Sequence, residues 1–141
     1  MSTDRYLPFV GRILIGLTFT FFGLGKAIDC GKTVAMITAV GLPFPSLAFL
    51  AAVSLEIVGG LLLIVGYKVQ PVPLLLAVFS IVTASYFHCN IADENTLVHF
   101  FKNVIIAGGL FQIAGFGAGA FSIDQRASRG SGNFAGLSTA R

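Results

Sequence analysis

The sequence predicts an all-α integral membrane protein, a four-transmembrane-helix bundle. The first observation is composition. Of the 141 residues, 55% are hydrophobic and 11% charged, and the mean hydropathy is +0.88. A soluble domain carries roughly 25% charged residues, and a chain this short could not hide so much apolar surface from water. The second observation is that the apolar residues gather in four runs, each of about the length a bilayer crossing needs, near 20 residues. The third is the punctuation between the runs by Gly, Pro and charge.

The first run extends from Pro8 to Gly25 and is broken only by Arg12. Arg5 followed by an apolar stretch has the outline of a signal peptide. No small-x-small cleavage site follows, and the run ends in Gly25-Lys26, so an uncleaved first transmembrane helix is expected. The second run, Leu47 to Gly66, has Glu56 as its single charge. The third, Pro71 to Phe87, has none. It is short for a span, which leaves a re-entrant segment open as an alternative. The fourth runs from Leu97 to about Gly117 and carries His99, Lys102 and Gln112.

Gly41-Leu-Pro-Phe-Pro45 precedes the second run and Gln70-Pro-Val-Pro73 opens the third. Proline fits the first turn of a helix, where the N–H groups have no intrahelical partner. Between the first two runs, Lys32 to Val40 reads as a short helix lying at the membrane surface. Residues 1–124 form the membrane domain. The Gly/Ser/Arg-rich stretch 125–141 reads as a flexible tail. No repeat of 20–50 residues occurs.

Four spans place both termini on one side. That side holds Arg5, Lys68, Arg126, Arg129 and Arg141, whereas Lys26, Lys32, Asp93 and Glu94 lie on the other. The positive-inside rule puts the termini in the cytoplasm. The net charge of +3 comes from scattered residues, not a basic stripe, so nucleic acid is not an expected partner.

Glu56 is the costliest residue of the sequence. A carboxylate inside a span costs on the order of 3 kcal/mol or more unless it is paired, protonated or facing a cavity. Counting inward at 1.5 Å per residue places Glu56 about 15 Å below the outer end of its span. Arg12 lies about 21 Å below Lys26, which marks the outer end of the first span. The long Arg side chain can bridge that difference, so an Arg12–Glu56 pair between neighbouring helices is expected. Such a pair serves a structural clamp as readily as chemistry.

A second polar set gathers toward the outer side: Lys26, His88, His99, Lys102 and Asn103. His99 and Lys102 share a helical face at i, i+3. Several donors around a His whose pKa lies near neutrality suit an anionic or carbonyl-bearing ligand such as a quinone head group. The plainer readings are that Lys26 snorkels to the interface and that His88 only ends a helix. The two histidines lack further ligands at metal-binding spacing, so no metal is expected. Cys30 and Cys89 both fall on the outer side, where a disulfide is one option and two unpaired residues the other. Gly59-Gly60 and Gly108-Gly109 read first as close helix packing.

An ordered set of segments resembles the DoxX family of small bacterial membrane proteins. It comprises Phe21-Phe22-Gly23-Leu24-Gly25-Lys26, Gly41-Leu42-Pro43 and Leu55-Glu56-Ile57-Val58-Gly59-Gly60. It continues in Glu94-Asn95-Thr96, Phe101-Lys102-Asn103-Val104, Gly108-Gly109 and Ser122-Ile123-Asp124. The resemblance covers about residues 9–124. It implies a four-helix protein of the bacterial inner (plasma) membrane and a role as a subunit associated with quinone-linked oxidoreductases, including thiosulfate oxidation. The matching positions are Arg12, Lys26, Glu56, Lys102 and Asn103; the cysteines are not part of the pattern. No haem-ligand pair lies inside the spans and no nucleotide motif occurs, so the chain is not expected to be a complete enzyme.

The leading expectation is a membrane subunit or quinone-interacting component of a redox system, with the lipid bilayer, a quinone and redox proteins as partners and no covalently bound cofactor. The alternatives are a small proton-coupled transporter or permease working through Glu56, and a membrane scaffold without a ligand.

Overall fold

A computed structural model describes residues 6–89, 92–117 and 119–125. The chain forms five helices: α1 (Leu7–Ile28), α2 (Cys30–Ala39), α3 (Pro45–Val65), α4 (Pro71–Phe87) and α5 (Glu94–Phe116). Among the described residues the four apolar runs become α1, α3, α4 and α5. Three of these have the length and hydropathy to cross a membrane, and α4 is a shorter apolar helix. Helix α4 is continuous over its 17 residues and packs along α5, so it does not turn back as a re-entrant segment would.

Local signals set the boundaries. Pro occupies the first turn of α1, α3 and α4, where its missing N–H costs nothing. Helix α3 stops at Gly66, whose φ of 72° gives a left-handed cap. Gly66 N–H donates to Leu63 O and Tyr67 N–H to Leu62 O, a Schellman closure. Helix α5 begins at Asp93, whose carboxylate accepts from the Thr96 N–H at 2.8 Å.

Helices α1 and α3 form one antiparallel pair and α4 and α5 another; the pairs meet through α3–α4 and α1–α5. The α1–α3 pair is close because glycines face each other. A Cβ on Gly60 would lie 2.5 Å from Thr20 Oγ1 and 2.7 Å from Gly16 O. A Cβ on Gly23 would lie 2.9 Å from Glu56 Cβ. The packing reading holds for Gly59-Gly60, with Gly59 against Leu76. In the other pair only Gly109 meets a neighbour, Ile15, and Gly108 faces open space.

The core lies toward the end of the bundle that carries Tyr6 and Gln125, here the terminal end. Leu63, Leu76 and Leu110 are fully buried there with Ala77 and Ala107. The outside is apolar, with Phe21 73% and Ile105 73% exposed, as a lipid-facing surface requires.

Residues 119–125 fold back across the terminal end. Both Asp124 carboxylate oxygens accept backbone N–H groups of the α3–α4 turn, from Lys68 at 3.0 Å and Val69 at 2.9 Å. The Asp124 N–H returns a bond to Gly66 O, and Tyr6 stacks on Phe121. The tail expected over 125–141 lies outside the described residues beyond Gln125.

Candidate functional site

Arg12 does not pair with Glu56. It is fully buried at the terminal end, donating through Nη1 to Leu63 O at 3.1 Å and through Nη2 to Phe121 O at 2.5 Å. A side chain at Gly66 would overlap its guanidinium. The physical reason is register. Gly23 faces Glu56 and Gly16 faces Gly60 and Ile64, so α1 ends opposite about residue 51, between one and two turns past the start of α3, and Arg12 lies level with the end of α3. Placing Lys26 level with Leu47, the two outer ends, brings Arg12 about six residues, or just under two turns, too close to Glu56.

The partner of Glu56 is Lys26. Nζ lies 2.5 Å from Oε1 and 2.7 Å from Oε2. Glu56 is 5% exposed and Lys26 32%. Lys26 stands about one turn beyond Gly23, where α1 approaches α3 so closely that a Cβ on Gly23 would lie 2.9 Å from Glu56 Cβ, which brings the lysine within reach of the carboxylate. Lys26 therefore turns into the bundle instead of snorkelling away from it.

This ion pair lines a cavity of about 720 Å³ that occupies the α2 end of the bundle. All five helices contribute. The walls are mostly apolar, with Phe19, Leu55, Phe79 and Ile106 among them. Helix α2, expected at the membrane surface, supplies Thr33, Met36 and Ile37, and Ile37 is only 5% exposed. In the interior the lining stops, toward the terminal end, at Glu56, Phe79 and Ile106, while Leu14 extends it along the exposed face of α1. Below it lies the Leu63–Leu76–Leu110 layer. The cavity is thus closed at that end.

Every residue of the second polar set lines the same cavity: Lys26, His88, His99, Lys102 and Asn103. The His88 and His99 rings stack with centroids 5.1 Å apart. Lys102 Nζ lies 3.0 Å from His99 Nδ1 and 5.7 Å from the centre of the Phe22 ring across the cavity. Asn103 Nδ2 donates to His99 O at 3.0 Å. His88, the first residue after α4, has its pKa lowered by burial and then by His99 and Lys102.

The seam between α1 and α5 gives this cavity a side opening. Leu14 and Phe22 line it and are 62% and 49% exposed, and the exposed Lys102 stands opposite. Lys102 is eight residues into α5, about 12 Å below its start, at the depth of the hydrocarbon.

Cys30 and Cys89 are free and exposed thiols, so the disulfide option is not taken up. Two participants escaped the sequence reading. Asp124 was visible only as part of the Ser122-Ile123-Asp124 segment. Ser80 is 1% exposed at the cavity's inner edge, and its hydroxyl has no partner among the described residues. Nothing in an apolar run marks one Ser as different from another.

The DoxX family profile matches residues 7–89. The chain belongs to the DoxX family. It is 31% identical over 140 residues to the inner membrane protein YphA of Escherichia coli, covering 89% of this chain and all of that protein. It is 35% identical over 116 residues to the inner membrane protein YqjF of the same organism, covering 82% and 88%. It is 29% identical over 126 residues to the ER-derived vesicles protein ERV29 of Saccharomyces cerevisiae, covering 86% of this chain and 34% of that protein. No solved structure matches. The chain is accordingly a multi-pass inner-membrane member of the DoxX family, and its cavity is lined in part by α5, beyond the profile match.

Proposed function

We propose that this protein is a quinone-interacting component of a membrane redox system, holding a lipophilic ligand by its polar head in the α2-end cavity. One observation carries the reading. A cavity of about 720 Å³ falls in the size range of small-molecule sites, roughly 300–1,000 Å³. It is mostly apolar, with its histidines, Lys102 and Asn103 gathered at one rim, and it opens sideways at the depth of lipid. A molecule dissolved in the bilayer enters through the α1–α5 seam. Lys26, Lys102, Asn103 and the histidines supply donors for carbonyl oxygens. With both termini in the cytoplasm, as the basic residues suggest, the cavity belongs to the opposite side of the membrane.

The scaffold reading asks for a dry, packed polar pair, and Glu56 instead borders open space. The permease reading asks for a passage, and the buried leucine layer closes the terminal half. The binding role is therefore the better supported. The test is titration of purified protein in detergent with a short-chain quinone. Saturable binding in the parent protein, lost or weakened about tenfold or more in Lys102→Ala, is the expected result; no saturable binding in the parent removes the proposal.

A further inference from the structure

The basic corner of the cavity carries a charge that the protein does not neutralise. Among the described residues the one ion pair joins Lys26 to Glu56, and it engages both Glu56 oxygens. Asp93, at the start of α5, is turned onto Thr96. Glu94, beside it, lies about two turns of α5 away from Lys102. Among the described residues, Lys102 thus faces the cavity with His99, His88 and the Phe22 ring beside it and no carboxylate paired to it.

A lysine ammonium is a donor only, and one of its N–H groups is directed at His99 Nδ1 at 3.0 Å. The other ring nitrogen, Nε2, is left free to meet a ligand. The corner presents the remaining Lys102 N–H groups, the His99 Nε2 edge and the His88 ring. It offers donors and one full positive charge, and no carboxylate. An apolar wall continues directly from it into the cavity.

We propose that this corner, His88, His99 and Lys102, binds an anionic head group, and that the cavity's occupant is a single-chain amphiphile whose head is a carboxylate or another acidic oxygen. The inference rests on the reading of the cavity as a ligand site, not on the ligand being a quinone. An anion beside Lys102 also relieves the repulsion that disfavours protonation of His88, the groups facing His88 being His99 and Lys102 on α5, with Lys26 and Glu56 on α1 and α3 neutralising each other.

The experiment compares two alkyl-naphthoquinones of identical ring and chain, one bearing an acidic ring hydroxyl that is ionised at neutral pH. Oleate is a third probe and acetate a control, all titrated into the purified full chain. The acidic quinone is expected to bind about tenfold or more tightly than its neutral twin, the scale of one charge-assisted hydrogen bond. Lys102→Gln and His88→Gln should erase that preference, Lys102→Arg should keep it, and Lys32→Gln, outside the cavity, should leave it intact. Equal binding of the two quinones overturns the anionic head while leaving the quinone reading standing. Binding of oleate and the acidic quinone, with none of the neutral one, upholds the inference and removes the neutral quinone. Acetate displacing the probes as well as oleate does overturns the amphiphile, and binding of no probe removes both readings.

Discussion

The Lys26–Glu56 pair makes an asymmetric prediction. Lys26→Met leaves a carboxylate that is 5% exposed without its partner. Uncompensated buried charges of this kind cost about 3–5 kcal/mol. Glu56→Gln leaves a lysine that is 32% exposed and lies two residues from the end of α1. Its long stem can swing toward that end, and the Gln oxygen still accepts from Nζ, so the cost is about 1 kcal/mol, the scale of one ordinary hydrogen bond. The double variant Lys26→Met/Glu56→Gln replaces two charges by neutral groups of similar volume and should fall within about 1 kcal/mol of the parent. The single costs then exceed the double cost by about 3 kcal/mol or more, a coupling of the size that contacting residues show. Unfolding in mixed micelles followed by circular dichroism measures all four corners of the cycle. Equal costs for the two single variants, or strict additivity, would refute the reasoning. Arg12→Met supplies the contrast: it should destabilise without coupling to Glu56→Gln, because Arg12 holds Leu63 O and Phe121 O instead.

Three further outcomes follow from the same geometry. Gly60→Ala puts a Cβ 2.5 Å from Thr20 Oγ1 and 2.7 Å from Gly16 O, so α1 and α3 must separate. Overpacking of this kind costs about 1–3 kcal/mol, whereas Gly108→Ala, with nothing within 4 Å, should change thermal stability by about 0.5 kcal/mol or less. Asp124→Ala removes the acceptor for two backbone N–H groups and should cost about 1–3 kcal/mol, with faster hydrogen exchange at Lys68 and Val69 as the local readout. The lowered pKa of His88 means that the unfolded chain takes its proton first as pH falls. Stability should therefore be flat above the ordinary value of 6.5, decline as pH drops through it, and level off below the lowered value. His88→Gln should remove that part of the pH dependence in a thermal-shift series.

The bundle was readable because lipid imposes a simple demand. Backbone groups must bond within each crossing segment, so four apolar runs become four helices whose ends fall near Pro and Gly. The membership of the cavity was readable for a related reason. Lys26, His88, His99, Lys102 and Asn103 are polar groups at the same end of four-way packing, and an apolar bundle has few places to put them. Pairing was not readable, because it depends on the stagger between helices. Gly16, Gly23 and Gly60 set the α1–α3 stagger through contacts a few ångströms across, and a shift of two turns exchanges Arg12 for Lys26 as the partner of Glu56. Counting from helix ends carries no information on that stagger.

The glycines and the charges together explain why the molecule has two unlike halves. At the terminal end, Arg12 saturates carbonyls of α3 and of the returning segment, Asp124 clasps the α3–α4 turn, and three fully buried leucines fill the centre. At the α2 end, α1 stops short beside α3, the α1–α5 seam is thin, and the large side chains stand around a cavity instead of filling it. Close packing throughout would bring more dispersion contact, so an open half carries an energetic cost that the locked half offsets. A scaffold has no use for that division. The proposed uptake of a lipophilic molecule from the bilayer does: the terminal half would hold the four helices in register, and the open half would keep Lys102 and the histidine stack at the depth where such a molecule's polar head would sit.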